Sequence, residues 1–294
     1  MSTGKRRQLV AALPWISPAL LLIVAIVLFP AGYMAWTSTR DLSEYGVDRG
    51  PAGLENYRRI FELDILPRVL TNTLVWVVGV VAVTVVISLA LAQLLHQAFP
   101  GRRLVRLAVI VPWASSVVMT SVVVYYGLDP FYGIINQALV DLHILDSPYG
   151  FTKRPLPAFA VSMAVAVFVS LPFTTYTILA GLQGIPEEIL EAAEVDGAGA
   201  LRRYFAVILP NLRPALAVAT IINIINVFNS LPILRTLTGS IPGYDADTTT
   251  TLIFKLIQAD RQVDSASALS VVNFLLVLVV ILVYLRLVRP MRSA

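Results

Sequence analysis

The chain has 294 residues, of which 57% are hydrophobic and only 14% charged, and it contains no cysteine. Average soluble proteins are about 45–50% apolar and about 25% charged, so a mean hydropathy of +0.78 excludes an ordinary soluble enzyme and indicates contact with lipid. The net charge of +4 is spread along the chain, which argues against a nucleic-acid-binding face, and the lack of cysteine excludes disulfides and thiolate metal sites.

Six long apolar segments, almost free of charged side chains, follow one another along the chain. They are predicted at Pro14–Trp36, Thr71–Gln97, Leu104–Leu128, Leu156–Leu182, Pro214–Leu234 and Ala266–Leu285. A membrane-spanning helix needs about 20 residues, and the segments lack the period-two alternation of barrel strands. The sequence therefore predicts an all-α polytopic membrane protein with six transmembrane helices, in which residues 1–294 form a single transmembrane domain.

The first segment follows Lys5, Arg6 and Arg7, as the apolar region of a secretory signal would. A signal's apolar region spans about 7–15 residues and ends in small residues, whereas this segment continues to Trp36. We therefore expect a retained first span. Prolines inside the predicted spans include Pro18, Pro112, Pro172 and Pro232. Each removes a backbone hydrogen bond, and the resulting kink either lines a pathway or serves packing.

Lys and Arg residues are distributed unevenly between the two sets of alternate loops. On the side that carries both chain ends, the loops outside residues 183–213 hold nine basic residues and no acidic one. The opposite side holds more acidic than basic residues. Because short loops rich in Lys and Arg stay in the cytoplasm, the sequence predicts that both termini are cytoplasmic.

The loop at residues 183–213 breaks this pattern because it is acidic. Its acidic residues are Glu187, Glu188, Glu191, Glu194 and Asp196. Pro186 suits the first position of a helix, the early acids complement the helix dipole, and Gly197 can end the helix in a left-handed cap. A second short helix is predicted at about Ala200–Ile208 and is expected to end at Pro210. The acidic charges by themselves also fit a solvent-exposed helix in a loop without a specific function.

This loop reads Glu191-Ala192-Ala193-Glu194-Val195-Asp196-Gly197 and later Val207-Ile208-Leu209-Pro210. It resembles the EAA loop of permease subunits of binding-protein-dependent ABC importers, although Val207 stands where that family usually has Ile. Segments similar to maltose-type and trehalose-type carbohydrate permeases occur at Gly53–Tyr57, Asn72–Thr73 and Asn226–Asn229. The resemblance extends over residues 14–288. The segment after Leu237-Thr238 departs from the family's Gly-Gly-Pro, so its substrate contacts are not carried over.

The resemblance implies the type I ABC importer permease fold in a bacterial inner membrane and a subunit that translocates a sugar, such as the disaccharides trehalose or maltose, by alternating access. It assigns ATPase coupling to Glu191, Ala192, Ala193, Asp196, Gly197, Leu209 and Pro210. The implied partners are a second homologous permease, two ATPase subunits, an extracytoplasmic sugar-binding protein and membrane lipid. The chain has no Walker A sequence, so we expect ATP and Mg to bind the ATPase, with no catalytic, cofactor or metal site here.

Polar and aromatic residues in the spans are candidates for a substrate path. The candidates are Asn223, Asn226, Asn229, Tyr125, Tyr176 and Phe228. The three asparagines recur at intervals of three, which places them along one side of a helix. Hydrogen bonding between helices and contact with a sugar explain them equally well. A further segment, Thr248 to Asp264, reads as an amphipathic helix at the outer interface that covers the bundle or receives the binding protein.

Three alternatives remain open. A secondary carrier would hold an ion-coupling charge at membrane depth, and no such charge is firmly placed in these spans. A membrane scaffold protein would use the asparagines only for packing. An ABC importer of another polar solute, such as glycerol 3-phosphate or a polyamine, would keep the architecture and change only the cargo.

Overall fold

The computed structural model describes residues 14–239, 241 and 243–288. In chain order its elements are α1 (Pro14–Thr37), β1 (Arg40–Leu42), β2 (Asp48–Pro51), α2 (Glu55–Phe61), α3 (Leu66–His96), α4 (Arg102–Ala114), α5 (Val117–Gly127), α6 (Ile134–Asp141), α7 (Pro155–Gln183), α8 (Glu187–Val195), α9 (Ala200–Asn211), α10 (Arg213–Phe228), α11 (Leu231–Thr238), α12 (Thr249–Gln258) and α13 (Val263–Val288). The basic ends with Lys5, Arg6, Arg7, Arg289 and Arg292, and loop residues Ser240 and Pro242, lie outside the described residues.

Four of the described helices are long and apolar enough to cross a membrane, namely α1, α3, α7 and α13. Two bent pairs also qualify: α4 and α5 meet at 95°, and α9 and α10 meet at 66°. The count reaches the predicted six when each pair is taken as one span. Apart from the short antiparallel hairpin of β1 and β2, the regular elements in the described ranges are helical. The prediction of an all-α polytopic membrane fold is therefore confirmed.

The third predicted span, Leu104–Leu128, is not one continuous helix, which corrects the prediction. Ser115 and Ser116 have extended backbones, with ψ of 141° and 132°. Pro112 supplies no N–H to the last turn of α4, and the Ser115 hydroxyl donates to the Val111 carbonyl at 3.2 Å. The helix ends there, although the residues on both sides are apolar. Counts of hydrophobic residues cannot detect such a break.

The fifth predicted span, Pro214–Leu234, is also interrupted. α10 ends at Phe228, and Asn229 and Ser230 separate it from α11. Pro232 lies in the first turn of α11, where its missing N–H costs no helical hydrogen bond. It therefore begins a helix, whereas the sequence predicted a kink within one.

The predicted amphipathic helix from Thr248 to Asp264 is shorter than expected. α12 spans Thr249–Gln258, and α13 already begins at Val263, so Asp264 belongs to the next helix. The Lys255 carbonyl accepts the N–H groups of both Ala259 and Asp260, which closes the helix. The following turn holds Arg261 in a left-handed conformation, at φ of 54°, and such conformations are rare outside glycine, Asn and Asp.

Of the described residues, 67–252 and 275–288 belong to one of two compact units. Two large apolar clusters lie in this unit, beside a small one of Ala158, Ile241 and Ala246. The first includes Trp76, Val80, Phe159, Val227, Leu234 and Leu237, and the second includes Leu95, Ile178, Leu182, Ile208 and Leu212. The Trp76 indole N–H donates to the Val227 carbonyl at 2.9 Å. Side-chain packing and hydrogen bonds between helices hold such a bundle together in lipid, where the hydrophobic effect between helices is absent.

The other unit contains residues 14–66 and 253–274 and includes the hairpin. Asn56 is fully buried there. Its Nδ2 donates to the carbonyls of Ser38 at 3.0 Å and Arg40 at 2.7 Å, while the Tyr57 hydroxyl lies 2.7 Å from the Ser38 hydroxyl. The Gly53–Tyr57 segment, noted above for its resemblance, thus fixes the chain between α1 and the hairpin.

Replacing Asn56 with alanine is expected to lower the free energy of unfolding by about 2 kcal/mol, because two buried carbonyls lose their donor. Thermal unfolding of the purified chain measures this. Glu55→Ala is the matched control, since Glu55 is exposed and its pairing with Arg59 at 3.8 Å is a surface contact worth little. Equal melting temperatures for the two variants would contradict the assignment.

The hairpin carries an ion pair whose strength depends on pH. The Arg40 side chain donates to Asp48 at 2.6 Å, and the Gly50 N–H donates to Asp48 at 2.9 Å. Both contacts lower the pKa of Asp48 below its ordinary value. The pair therefore stabilises the hairpin above the ordinary pKa of an aspartate, and this stabilisation is lost as the pH falls through the lowered pKa.

Candidate functional site

The acidic loop forms a short helix with a well-defined end. α8 starts directly after Pro186, one residue later than predicted, because Pro186 has an extended backbone with ψ of 138°. Gly197 has φ of 73°, as the predicted left-handed cap requires. The N–H of Gly197 donates to the Glu194 carbonyl, and the N–H of Ala198 donates to the Ala193 carbonyl, both at 3.0 Å. These two hydrogen bonds define a Schellman motif.

The predicted coupling residues on α8 and in the turn that ends it differ in their exposure. Glu191, Ala192, Asp196 and Gly197 are exposed. Ala193 is only 8% exposed, so its small side chain lets α8 pack on the protein itself and is not available to a partner.

The second helix of the loop continues past its predicted end. α9 runs through Pro210 to Asn211, which corrects the expectation that Pro210 stops it. A π-helical turn at Tyr204–Ile208 ends two residues before the proline. In this wide turn the Leu209 N–H donates to the Tyr204 carbonyl, five residues back. Leu209 and Pro210 are half-buried.

An ion pair and a cleft connect α8 to its surroundings. Arg203 on α9 pairs with Glu194 on α8. A cleft of about 370 Å³ lies beside them and is lined in part by Gln93, His96, Gln97, Glu187, Glu191 and Glu194. Glu191 therefore lies at the rim of a cleft between α8 and the end of α3.

Three exposed apolar side chains near the Gly197 turn were not among the predicted coupling residues. Val195 is 87% exposed, and Leu201 and Phe205 are also exposed. These side chains surround the Gly197 turn along the chain. Apolar and acidic residues alternate in this short loop without a helical or strand period. Apart from the motif itself, the sequence therefore gave no indication that these three side chains are exposed. Exposed apolar patches on an otherwise polar surface are typical of docking sites.

A cavity of about 490 Å³ lies where the two interrupted spans meet α7. Its lining residues are Trp113, Val117, Ala166, Val169, Ser170, Phe173, Ile222, Asn223, Asn226, Val227, Asn229, Ser230, Pro232 and Ile233. The structure thus brings all three predicted asparagines to one cavity, and two of them lie at or near the break between α10 and α11. None of these lining residues carries a charge.

The three asparagines have different environments. Asn223 is buried, and its Nδ2 donates to the Thr174 hydroxyl at 2.6 Å, which is a hydrogen bond between α10 and α7. Asn229 is exposed and donates to the Ile225 carbonyl at 2.8 Å, so it caps its own helix. Asn226 is exposed. Asn223 thus makes the hydrogen bond between helices that the packing interpretation expects, whereas Asn226 leaves its side chain exposed at the cavity.

Three aromatic candidates, Tyr125, Tyr176 and Phe228, do not line this cavity. The Tyr125 hydroxyl lies 3.3 Å from the Lys153 ammonium group. The Tyr176 hydroxyl donates to the Arg106 carbonyl at 3.0 Å, and Phe228 is buried in the first apolar cluster. Trp113 does line the cavity and is 66% exposed.

Hydroxyl groups and one further aromatic residue complete the chemistry of the cavity. Ser170, Ser230 and Phe173 contribute to the lining. They were not predicted, because Ser occurs in every span and Phe in four of the six, so neither residue type marks a site. Amides, hydroxyls and an indole ring can contact a neutral polyol. Within the described part of the chain, no cluster of three or more His, Asp or Glu residues could hold a metal ion.

Comparison with known proteins identifies the family of this chain. Residues 84–292 match the family described as "Binding-protein-dependent transport system inner membrane component". The chain belongs to this family. It is therefore a permease subunit of an ABC transporter, a transport component and not an enzyme.

Three relatives cover most of this permease. A probable ABC transporter permease of Brucella suis is 31% identical, covering 92% of this chain and 94% of the relative. The sulfoquinovosyl glycerol transport system permease SmoG of Agrobacterium fabrum is 32% identical, with 93% and 89% covered. The trehalose transport system permease SugA of Mycobacterium tuberculosis is 32% identical, with 92% and 86% covered.

A solved structure shares the fold of the permease. It is a chain of a bacterial alginate ABC transporter in complex with an alginate pentasaccharide-bound periplasmic protein. The TM-score is 0.81 at 20% identity, and the match covers 99% of this chain and 97% of that chain. At this identity the similarity establishes the fold alone.

Proposed function

We propose that this permease translocates a neutral sugar, such as the disaccharides trehalose or maltose, through the cavity between α4, α5, α7, α10 and α11. The uncharged, amide-bearing lining of that cavity is the observation that carries the proposal. A charged cargo favours opposite charges along its path, and the lining offers none. A neutral polyol needs donors and acceptors, which Asn226, Ser170 and Ser230 provide, and an apolar surface, which Trp113 provides.

The energy for transport comes from ATP hydrolysis on a separate subunit in this proposal. The capped helix α8 is the contact to that ATPase. Its exposed Glu191 can pair with a cationic or hydroxyl group of the partner, and the apolar patch of Val195, Leu201 and Phe205 supplies buried area on docking. The Arg203–Glu194 ion pair joins α8 to α9, so a push on α8 would move both helices.

The proposed assembly has one further permease, two ATPase subunits and an extracytoplasmic binding protein, in a bacterial inner membrane with both termini cytoplasmic. The Tyr176–Arg106 hydrogen bond supports this orientation, because it brings the start of the basic helix α4 next to the second half of α7. The basic start of α4 and the acidic loop after α7 thus share one end of the bundle. The SugA and SmoG names support a saccharide cargo.

Uptake of radiolabelled trehalose, maltose and glycerol 3-phosphate into vesicles that contain the reconstituted complex tests the cargo. We expect uptake of one of the disaccharides that requires ATP and the binding protein. ATP-dependent uptake of glycerol 3-phosphate, without uptake of either disaccharide, would show that the cargo is glycerol 3-phosphate. The conclusion that the protein is part of an ABC importer would then stand. Solute uptake without ATP by this chain alone would support a secondary carrier and overturn the proposal.

Asn226→Leu is expected to reduce disaccharide uptake about tenfold, because the loss of one hydrogen bond in a desolvated site costs about 1–1.5 kcal/mol. Ile225→Leu is the control, since Ile225 adjoins Asn226 and does not line the cavity. Equal uptake by both variants would remove Asn226 from the path.

A further inference from the structure

The segment after α5 presents an apolar surface that no described residue of the chain covers. Phe131, Tyr132 and Ile134 are all strongly exposed, with Tyr132 at 94%. We refer to these three residues as the knob. They lie between α5, a half of one candidate membrane span, and the short helix α6.

The knob continues the exposed face of α5. Met119, Val123 and Tyr126 are exposed along that helix at spacings of four and three residues, which is one helical face. Exposed apolar side chains on a helix of a candidate membrane span are those that contact lipid. The knob begins only five residues after Tyr126, so the lipid-facing surface of the span leads directly into it.

Hydrogen bonds prevent the knob from turning inward. The Asp129 carboxylate accepts the N–H groups of Phe131 at 2.9 Å and Tyr132 at 3.2 Å. Behind the knob, the buried Asn136 donates to the carbonyls of Leu128 at 2.9 Å and Tyr149 at 2.7 Å. The three side chains are therefore held outward by a fixed backbone.

The charge distribution around the knob suits a membrane interface. Residues 130–140 contain no Asp, Glu, Lys or Arg. The polar side chains of α6 engage each other at its other end, where Gln137 donates to Asp141 at 2.9 Å. Aromatic residues beside apolar ones, close to the end of a span, are typical of the boundary between lipid and water.

We propose that the knob inserts into the interfacial region of the lipid bilayer and anchors the connection between α5 and α6 to it. The anchor would fix the position of α5, which lines the sugar cavity through Val117, relative to the membrane plane. The proposed partner of the knob is therefore the lipid surface and not another protein. This inference does not depend on the nature of the cargo.

Spin labelling tests the anchor directly, because the chain has no cysteine and any introduced cysteine is its only thiol. Tyr132→Cys, Val123→Cys and Tyr45→Cys are each labelled with a nitroxide in the full chain, reconstituted in phosphatidylcholine and phosphatidylglycerol vesicles. Tyr45 is the matched control, an 83% exposed tyrosine beside Glu44 and Arg49 in a polar region of the hairpin. Collision rates with oxygen, which dissolves in lipid, and with a water-soluble nickel chelate report the depth of each label.

We expect the ratio of oxygen to nickel collisions at position 132 to be several-fold higher than at position 45 and to approach the ratio at position 123. A ratio equal to that at position 45 would overturn the proposal, because the knob would then lie in water. Protection from both oxygen and nickel would also overturn it and would indicate that a second copy of the chain covers the knob. Ile134→Cys repeats the measurement if Tyr132→Cys does not fold.

Discussion

Replacing Gly197 with threonine is expected to uncouple ATP hydrolysis from transport. A β-branched residue at φ of 73° costs about 1–2 kcal/mol or more in the left-handed conformation, and the Schellman hydrogen bonds that end α8 would be lost with it. The population of the correctly formed helix end would fall about tenfold or more. ATP hydrolysis stimulated by sugar and binding protein, measured on the reconstituted complex, should fall accordingly.

Gly199→Thr is the matched control for this experiment. Gly199 lies two residues away in the same loop, has φ of −61° and precedes α9 as its N-cap. Threonine and glycine are similar N-caps, and a side chain at Gly199 would meet open space. If Gly199→Thr loses stimulated hydrolysis as fully as Gly197→Thr, the left-handed cap is not the reason for coupling.

Substitution of Ser170 with tryptophan is expected to abolish sugar uptake. Ser170 lines the cavity on α7, and an indole ring there would occupy much of the space that a sugar needs. The change adds bulk where the cavity is open, so folding should be retained. Uptake into vesicles and thermal unfolding, measured on the same preparation, separate blockage from misfolding.

Phe168→Trp provides the comparison, because Phe168 is an exposed residue of the same helix and does not line the cavity. This variant introduces the same side chain two positions before Ser170, outside the cavity. Normal uptake by Ser170→Trp, or loss of uptake by both variants with intact folding, would show that the cavity is not the sugar path.

The apolar spans and the capped helix of the acidic loop could be predicted from the sequence because each rests on a local pattern. Runs of apolar residues fix the existence of α1, α3, α7 and α13, and their ends fall within a few residues of the predicted ones. The cap at Gly197 was predictable because glycine is the residue that takes the left-handed conformation without steric cost.

Local sequence patterns could not predict the breaks within spans or the direction in which individual side chains point. The interruption at Ser115 and Ser116 depends on backbone dihedral angles in an apolar context, and hydropathy does not respond to them. The inward position of Ala193 depends on the neighbours of α8, which come from distant parts of the chain. The asparagine series was visible as a period, but only the neighbours of each residue distinguish Asn223, which is buried and bound to Thr174, from Asn226, which is exposed.

The measurement that tests the central claim most directly compares Glu191→Ala with Glu188→Ala in the reconstituted complex. Both glutamates are exposed on α8, so the two variants lose the same charge from the same helix. The account predicts that Glu191→Ala loses sugar-stimulated ATP hydrolysis and uptake, whereas Glu188→Ala keeps both. Full activity of Glu191→Ala, or sugar uptake by the chain alone without ATP, would contradict the claim that this permease is driven through α8 by a separate ATPase.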